Sequence, residues 1–560
     1  MKCLPLIPAS VVGLLILFLD VDIAVGDSII IRAFFDSFEQ RAFVESRLQK
    51  LDEDIGAFGV YKALPADIDW LDSLGLKYQA APASIPQPPS AAELDSFFYT
   101  YDEMIDSMYS WQAQFPALAQ VAIIGQTQQE NRNIYAIKIS DSVSVDQDEP
   151  VLLFDGAHHA CEIMGMEICL ALADTLLRSY GADTNITEFV DATETWIVPL
   201  INPDGNSAVH AGISLNYRKN GRDHDNDGIL YEYECNDSWT CPTEGVDLNR
   251  NYDWYWSSSG STIPMNYYYR GASPGSESEN AAITALVAQI RPVFSVTYHS
   301  WGEVLYFPWL WGDNQHTPDH GVIFDVATEM AGRIEKENGV ESYDLVPSDG
   351  QGGLSPNWQY ARYGVISFLP ETVAYPDFIP DTEARKKGIV AANLQGVFYL
   401  YARIRESQIT GRVFDIASRR PLEAEIRILE HYSASVDPRM SDSLYGRYTR
   451  ILQPGTYTVQ AIHPDYPVKT IPGVVVSPGA PTLLNIPLGD FLPGDANGNG
   501  RRNGADVVFL VAFLKGIGRP PDPPELGDVN GDCVVNVGDV VFLVRYFQGG
   551  PEPQVCIILN

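Results

Sequence analysis

From Phe97 to roughly Arg405, short apolar runs that suit strands alternate with longer runs that suit helices. Strands are expected at 121–124, 134–139, 151–154, 194–199, 293–298 and 365–368. Helices are expected at 101–114, 162–180, 276–290, 321–338 and 382–404. Alternation on this scale points to one architecture, an α/β domain built on a mixed sheet. Ligands of such sheets bind outside the carboxyl ends of the strands. Residues just past the expected strand ends are therefore where chemistry is to be sought.

One such stretch is 151–172, VLLFDGAHHACEIMGMEICLAL. A buried strand turns through Gly156 into an apolar helical run, with His158, His159 and Glu162 at the turn. His159 and Glu162 stand three apart, so at a helix start both lie on one face. A catalytic zinc takes three protein ligands from such side chains and keeps one position open. A third ligand is expected at the end of a distant strand, and His299 in Val-Thr-Tyr-His-Ser fits. Either motif alone also suits a capped helix start or a structural histidine.

More residues follow in order: Asn202-Pro-Asp-Gly205, Tyr217-Arg218-Lys219, Gly245-Val-Asp-Leu-Asn249-Arg250-Asn251, Tyr269-Arg270-Gly271 and Glu371. With His159-Ala-Cys-Glu162 and His299-Ser300, their order and spacing resemble the zinc metallocarboxypeptidase family typified by carboxypeptidase A. The resemblance implies an α/β/α catalytic domain at 93–406. It implies one zinc on His159, Glu162 and His299, and Arg218 polarising the scissile carbonyl. It further implies Asn249 and Arg250 gripping the substrate's free α-carboxylate, Glu371 as general base and acid, and Tyr343 as the mobile active-site tyrosine. Physical chemistry supports these roles. A carboxylate beside an activated water can take and return a proton. A fixed guanidinium stabilises charge that develops in the transition state. An Arg with a neighbouring amide recognises a terminal carboxylate bidentately. Two positions depart from the family pattern. Cys161 replaces the Arg or Asn usual between the first two ligands. Pro356 stands where the family places a selectivity residue, which favours an uncharged C-terminal residue in the substrate.

The remaining chain divides into five further segments. Residues 1–26 have the pattern of a signal peptide: Lys2, an apolar core at 11–19, and Ala-Val-Gly at 24–26. Residues 27–79 read as a small α/β unit resembling a prodomain, with strands at 29–33 and 60–64 and helices at 37–51 and 66–74. A Pro/Ala/Ser linker fills 80–92. Residues 407–488 read as a β-sandwich of short strands, among them 410–414, 424–429, 457–461 and 482–486, resembling a transthyretin-like module. In 489–560, Asp-Val-Val-Phe-Leu-Val at 506–511 recurs at 539–544.

Three segments suit calcium. Asp223, Asp225, Asp227 and Glu234 follow EF-hand spacing, with Gly228 at the turn. Asp495, Asn497, Asn499 and Asp506 form a second loop, and Asp528, Asn530, Asp532 and Asp539 repeat it. The repeat leads into two helices and resembles a type I dockerin, which implies a cohesin-type scaffold partner.

The net charge of −36 argues against nucleic acid or an anionic membrane as partner. Beyond the signal region no run of twenty apolar residues appears, so no membrane span is expected in the mature chain. Six cysteines after Cys3 suit an oxidising, extracellular compartment. Cys235 is expected to pair with Cys241, and Cys533 with Cys556. Cys161 and Cys169 are expected to be free or paired elsewhere. The leading expectation is a secreted zinc carboxypeptidase acting on peptides by zinc-activated water. A zinc amidohydrolase of cell-wall peptides or acylated amino acids, and a catalytically silent calcium-dependent binding protein, stand as alternatives.

Overall fold

A computed structural model describes residues 29–34, 43–44, 46–50, 58–80, 94, 96–224, 226, 228, 230–231, 244–311, 315–347, 352–375, 377–416, 418–489, 492–521 and 524–554. The expected signal peptide and almost all of the linker lie outside the described residues. So do Asp225, Asp227, Glu234, Cys235, Cys241 and Cys556.

Two compact units are present. The first holds an antiparallel sheet of β1 (Ile29–Phe34), β2 (Gln49–Lys50), β3 (Phe58–Ala63) and β4 (Lys77–Ala80), ordered β2-β3-β1-β4, with helix α1 (Pro65–Ser73). Ala33, Val44, Leu48, Tyr61, Ala63, Leu71 and Leu76 form its core. The helix expected over 37–51 gives way, among the described residues, to a strand at 49–50. Residues 46–48 turn and 49–50 pair with β3, so backbone pairing replaces helix there.

In the second unit the expected alternation is realised, with additions. Helix α2 (Tyr101–Gln114) precedes the hairpin β5 (Ala119–Gln126) and β6 (Asn133–Ile139). Next come β7 (Val151–Gly156), α3 (Met164–Ser179), α4 (Thr184–Ala192), β8 (Glu194–Val198) and α5 (Pro203–His210). Then follow α6 (Ser278–Ile290), β9 (Phe294–Tyr298), β10 (Val304–Phe307), β11 (Leu310–Trp311) and β12 (Gln315–His316). Helix α7 (His320–Ala331), β13 (Asp344–Pro347), α8 (Ser355–Tyr363), β14 (Ile366–Glu371) and α9 (Glu383–Arg403) complete this part. Eight strands form one mixed sheet ordered β13-β10-β14-β9-β7-β8-β6-β5. The run β14-β9-β7-β8 is parallel throughout. Every residue of β7 and β9 is buried, as parallel strands covered on both faces require.

The register sets the site. Gly156 of β7 lies opposite Tyr298 of β9, and Val296 of β9 opposite Phe368 of β14, so three carboxyl ends lie side by side. Helix α3 begins at Met164, two residues later than expected, because 157–162 form a tight turn in which Glu162 N donates to His159 O (3.1 Å). The helix start packs directly on the strand end: a Cβ at Gly156 would stand 2.6 Å from the Gly165 carbonyl carbon.

After α9, a β module comprises β15 (Gln408–Asp415), β16 (Glu425–Ile428), β17 (Arg447–Ile451), β18 (Gly455–Ile462), β19 (Lys469–Val476), β20 (Pro481–Leu483) and β21 (Ile486–Leu488). One sheet is built around β15, which pairs with β17, β20 and β21, and the other is ordered β16-β18-β19. Both contribute to a shared core that includes Ile409, Val413, Ile426 and Val459. The terminal segment folds as α10 (Gly504–Leu514) and α11 (Val537–Phe547), packed on each other through Leu510 and Leu543. Each helix is capped by an Asn three residues before an Asp, Asn503 with Asp506 and Asn536 with Asp539. No helix among the described residues is long and apolar enough to cross a membrane.

Candidate metal centre

His159, Glu162 and His299 converge in a fully enclosed position. His159 Nδ1 stands 2.7 Å from Glu162 Oε1, and His299 Nδ1 stands 2.8 Å from Glu162 Oε2. The two Nδ1 atoms are 3.0 Å apart. A donor atom from each residue thus lies within 4.8 Å of the others. Burial opposes ionisation of Glu162, but His159 and His299 hold its carboxyl well below the usual range. Burial pushes His299 down to about 4, so its ring is neutral near neutral pH, as a ligand must be.

The outer contacts complete a metal-type arrangement. His159 Nε2 stands 3.1 Å from Asp247 Oδ1, the carboxylate–histidine pairing that orients ligating imidazoles. His299 Nε2 lies 3.3 Å from Asn249 Nδ2. Two ring nitrogens and a carboxylate face one point, and the far nitrogen of His159 is engaged by a carboxylate, so the residues fit a zinc ion. His158 points elsewhere, with its Nε2 2.7 Å from the Tyr252 hydroxyl.

Asp247 escaped the sequence reading, although it lies within Gly245-Val-Asp-Leu-Asn249-Arg250. Its Oδ1 also accepts from Asn249 N (3.0 Å), and its Oδ2 accepts from Arg218 Nε (2.9 Å). Burial opposes its charge, but Arg218, His159 and Arg250 hold the carboxyl far below its ordinary range. One carboxylate therefore orients a candidate ligand and the candidate carbonyl-polarising arginine together. Asp247→Asn keeps the shape and removes the charge. Metal affinity is expected to fall about 10–100-fold, measured by chelator competition. Unchanged affinity would show that Asp247 does not tune the centre.

Arg218 and Arg250 share one aromatic neighbour, with guanidinium carbons 5.1 and 5.4 Å from the Tyr268 ring centre. Burial works against the Arg218 charge, but Asp247 and Glu162 raise its pKa above the ordinary value. Arg250 is 1% exposed. Its Nη1 donates to Asn249 O (3.0 Å), and its Nε has no hydrogen-bond partner among the described residues. Asn202 ties this region together: Nδ2 donates to the carbonyls of His158 (3.1 Å) and Lys219 (2.9 Å), while Oδ1 caps α5 through Gly205 N. Only glycine fits at 205, since a Cβ would stand 2.4 Å from Lys219 O.

Glu371 closes β14 and is bridged to His299 in the sheet. His299 N donates to Pro370 O and Thr372 N to His299 O, both at 2.9 Å. Pro370 has no N–H, but its carbonyl is what pins the ligand strand. Tyr343, expected as the mobile active-site tyrosine, is placed against the end of β14. Its buried hydroxyl donates to Thr372 O (2.7 Å) and accepts from Asn393 Nδ2 (3.2 Å). It buttresses the strand end that carries Glu371, because burial and two hydrogen bonds hold it there. Cys161 and Cys169 are both free and buried, and burial pushes both thiols far up.

In the acidic loops, Asp223 accepts from Asn226 N (2.6 Å) and Gly228 N (3.0 Å). Asp495 accepts from Asn499 N and Gly500 N, and Asp528 from Gly531, Asp532 and Cys533 N. Asp528, Asp532 and Asp539 bring oxygens within 4.8 Å of one another. Cys533 is disulfide-bonded.

Residues 104–386 match the peptidase M14 family, described as zinc carboxypeptidase. A zinc carboxypeptidase of Saccharothrix mutabilis subsp. capreolus is 26% identical over 300 residues, covering 50% of this chain and 64% of the relative. A metallocarboxypeptidase A of Trichophyton tonsurans is 30% identical over 220 residues, covering 38% and 47%. The chain thus spans less than two thirds of either relative. Human carboxypeptidase N catalytic chain is 23% identical over 429 residues, covering 70% of this chain and 86% of the relative. Among solved structures, carboxypeptidase A from Helicoverpa armigera superposes with a TM-score of 0.51 at 18% identity, covering 67% of this chain and 95% of that one. That likeness concerns the fold.

Proposed function

The chain belongs to the zinc carboxypeptidase family, matched over half its length, and from that premise we propose that it is an exported hydrolase that removes C-terminal residues from peptides. The convergence of His159, Glu162 and His299 beside Arg218, Asn249 and Arg250 carries this reading. A zinc ion held by those three residues would supply Lewis acidity and lower the pKa of water to about 7. Glu371 takes a proton from the attacking water and returns it to the leaving amine. Arg218, locked by Asp247, faces the carbonyl and stabilises its developing charge. Asn249 and Arg250 receive the terminal carboxylate, and the unspent Arg250 Nε supports that assignment.

A blocked dipeptide with a free C-terminus is expected to be cleaved. Its amidated counterpart is expected to be at least about tenfold poorer, since the clamp loses a charge-assisted pair worth about 1.5–3 kcal/mol. A chelator is expected to abolish turnover and zinc to restore it. Equal rates on the two substrates would favour an amidohydrolase without a carboxylate clamp. No turnover by a zinc-loaded protein would favour the silent binding protein.

For the terminal repeat we propose two calcium-stabilised loops, supported by the clustered oxygens of Asp528, Asp532 and Asp539 and the matching turn at Asp495. Calcium at the Asp223 loop and a cohesin-type partner rest on sequence pattern and resemblance. Export is supported by the signal-like start and by the disulfide at Cys533. The likeness of the β module to a transthyretin-like domain is supported by its two small sheets and shared core.

A further inference from the structure

We propose that the β module is a positioning element for the substrate-carboxylate clamp, acting through α8. This rests on the carboxypeptidase reading above. Helix α8 lies between the two and is held at three levels. At its start, Ser355 N donates to Asn249 Oδ1 (2.9 Å). That bond orients the amide and leaves its Nδ2 turned to the centre, 3.3 Å from His299 Nε2. In the middle, the fully buried Tyr360 donates its hydroxyl proton to Asp319 Oδ2 (2.8 Å). The other Asp319 oxygen is taken by the β module: His431 Nδ1 stands 2.9 Å and Arg450 Nη2 3.2 Å away. At the end, the Ala361 carbonyl accepts from Asp437 N (2.8 Å) and Arg439 Nη1 (3.3 Å), again from the module. The Arg439 guanidinium also covers the Tyr360 ring at 4.7 Å.

These contacts have a physical direction. The last carbonyls of a helix lack internal donors and carry partial negative charge. Gly364, in the left-handed conformation, ends α8, and Asp437 N and Arg439 satisfy the Ala361 carbonyl there, so the module grips the helix end. Asp319 is buried, and burial opposes its charge, yet Arg450, His431 and Arg439 hold its carboxyl far below the ordinary range. A short rigid helix anchored at its middle and its end by one module has its start placed by that module. The residue at the start holds Asn249. Arg450, Arg439, Asp319 and Tyr360 are accordingly positioning residues, and none touches substrate.

The test uses the full-length zinc-loaded protein and compares Arg450→Gln, Arg439→Gln and Tyr360→Phe with the parent. The substrates are a blocked dipeptide with a free C-terminus and its amide. Each variant is expected to raise KM for the free acid about tenfold with kcat within about twofold. The kcat/KM for the amide is expected to hold, so discrimination falls about tenfold. Tyr360→Phe removes a single oxygen and guards against variants that fail to fold. Hydrogen exchange at the Ser355 amide is expected to rise alongside. Arg450→Lys, which keeps a cation for Asp319, is expected to recover part of the discrimination. A drop in kcat equal on both substrates, with discrimination intact, would make the module a stability element only and overturn the inference. A parent protein that does not distinguish acid from amide would instead sink the carboxypeptidase reading, and the inference with it.

Discussion

Glu371→Gln is expected to keep its zinc and lose about 10²–10⁴-fold in kcat, the range that a positioned general base contributes. The substitution is isosteric. The backbone bonds that hold this strand end, His299 N to Pro370 O and Thr372 N to His299 O, do not involve the carboxylate and should persist. Glu371 lies outside the converging set of His159, Glu162 and His299, so metal content measured on the purified variant should match the parent. The amide cannot accept and return a proton, so the loss falls on turnover and not on KM. A variant within tenfold of the parent in kcat would mean that another group moves the proton. A variant without zinc would mean that Glu371 supports the centre structurally.

Arg218→Met is expected to lower kcat by about 10²–10³-fold with little change in KM, as for the loss of one preorganised donor to a developing oxyanion. It carries a second, separable cost. Arg218 Nε is bonded to Asp247 Oδ2 at 2.9 Å, and both groups are buried. Removing one partner of such a pair costs about 3–5 kcal/mol of stability. The melting temperature should therefore fall, whereas Glu371→Gln should leave it nearly unchanged. If KM rises and kcat holds, Arg218 belongs to ground-state binding and the carbonyl assignment is wrong.

How far the chain could be read before its structure depended on the kind of signal. The central strands were visible because β7 opens on four apolar residues and β9 sets Phe, Val and Tyr between small Ser and Thr, a composition that suits burial on both faces. His159-x-x-Glu162 and His299 were visible because each sits directly past such a strand. Strands β10 and β13 were not, since runs of four residues are too short to carry a detectable periodicity. Helix α8 begins in Ser-Pro-Asn-Trp, which reads as a turn, and its residues owe their order to tertiary partners at both ends. Asp247 was not singled out, because its local bond caps Asn249 while its bonds to His159 and Arg218 join residues 88 and 29 positions away. Tyr343 was placed by resemblance to a mobile residue, and no local pattern reveals a phenol held by Thr372 and Asn393.

Under the proposed export, the two sealed thiols have a consequence for the order of folding. Cys161 and Cys169 flank the first turn of α3 and are wholly enclosed in the finished domain. Before that enclosure they are open to oxidation, in a chain whose Cys533 is oxidised by design. On the export proposed above, the sheet must close around β7 before the compartment's oxidants reach these sulfurs. A bridge formed early at Cys161 would hold the ligand turn open.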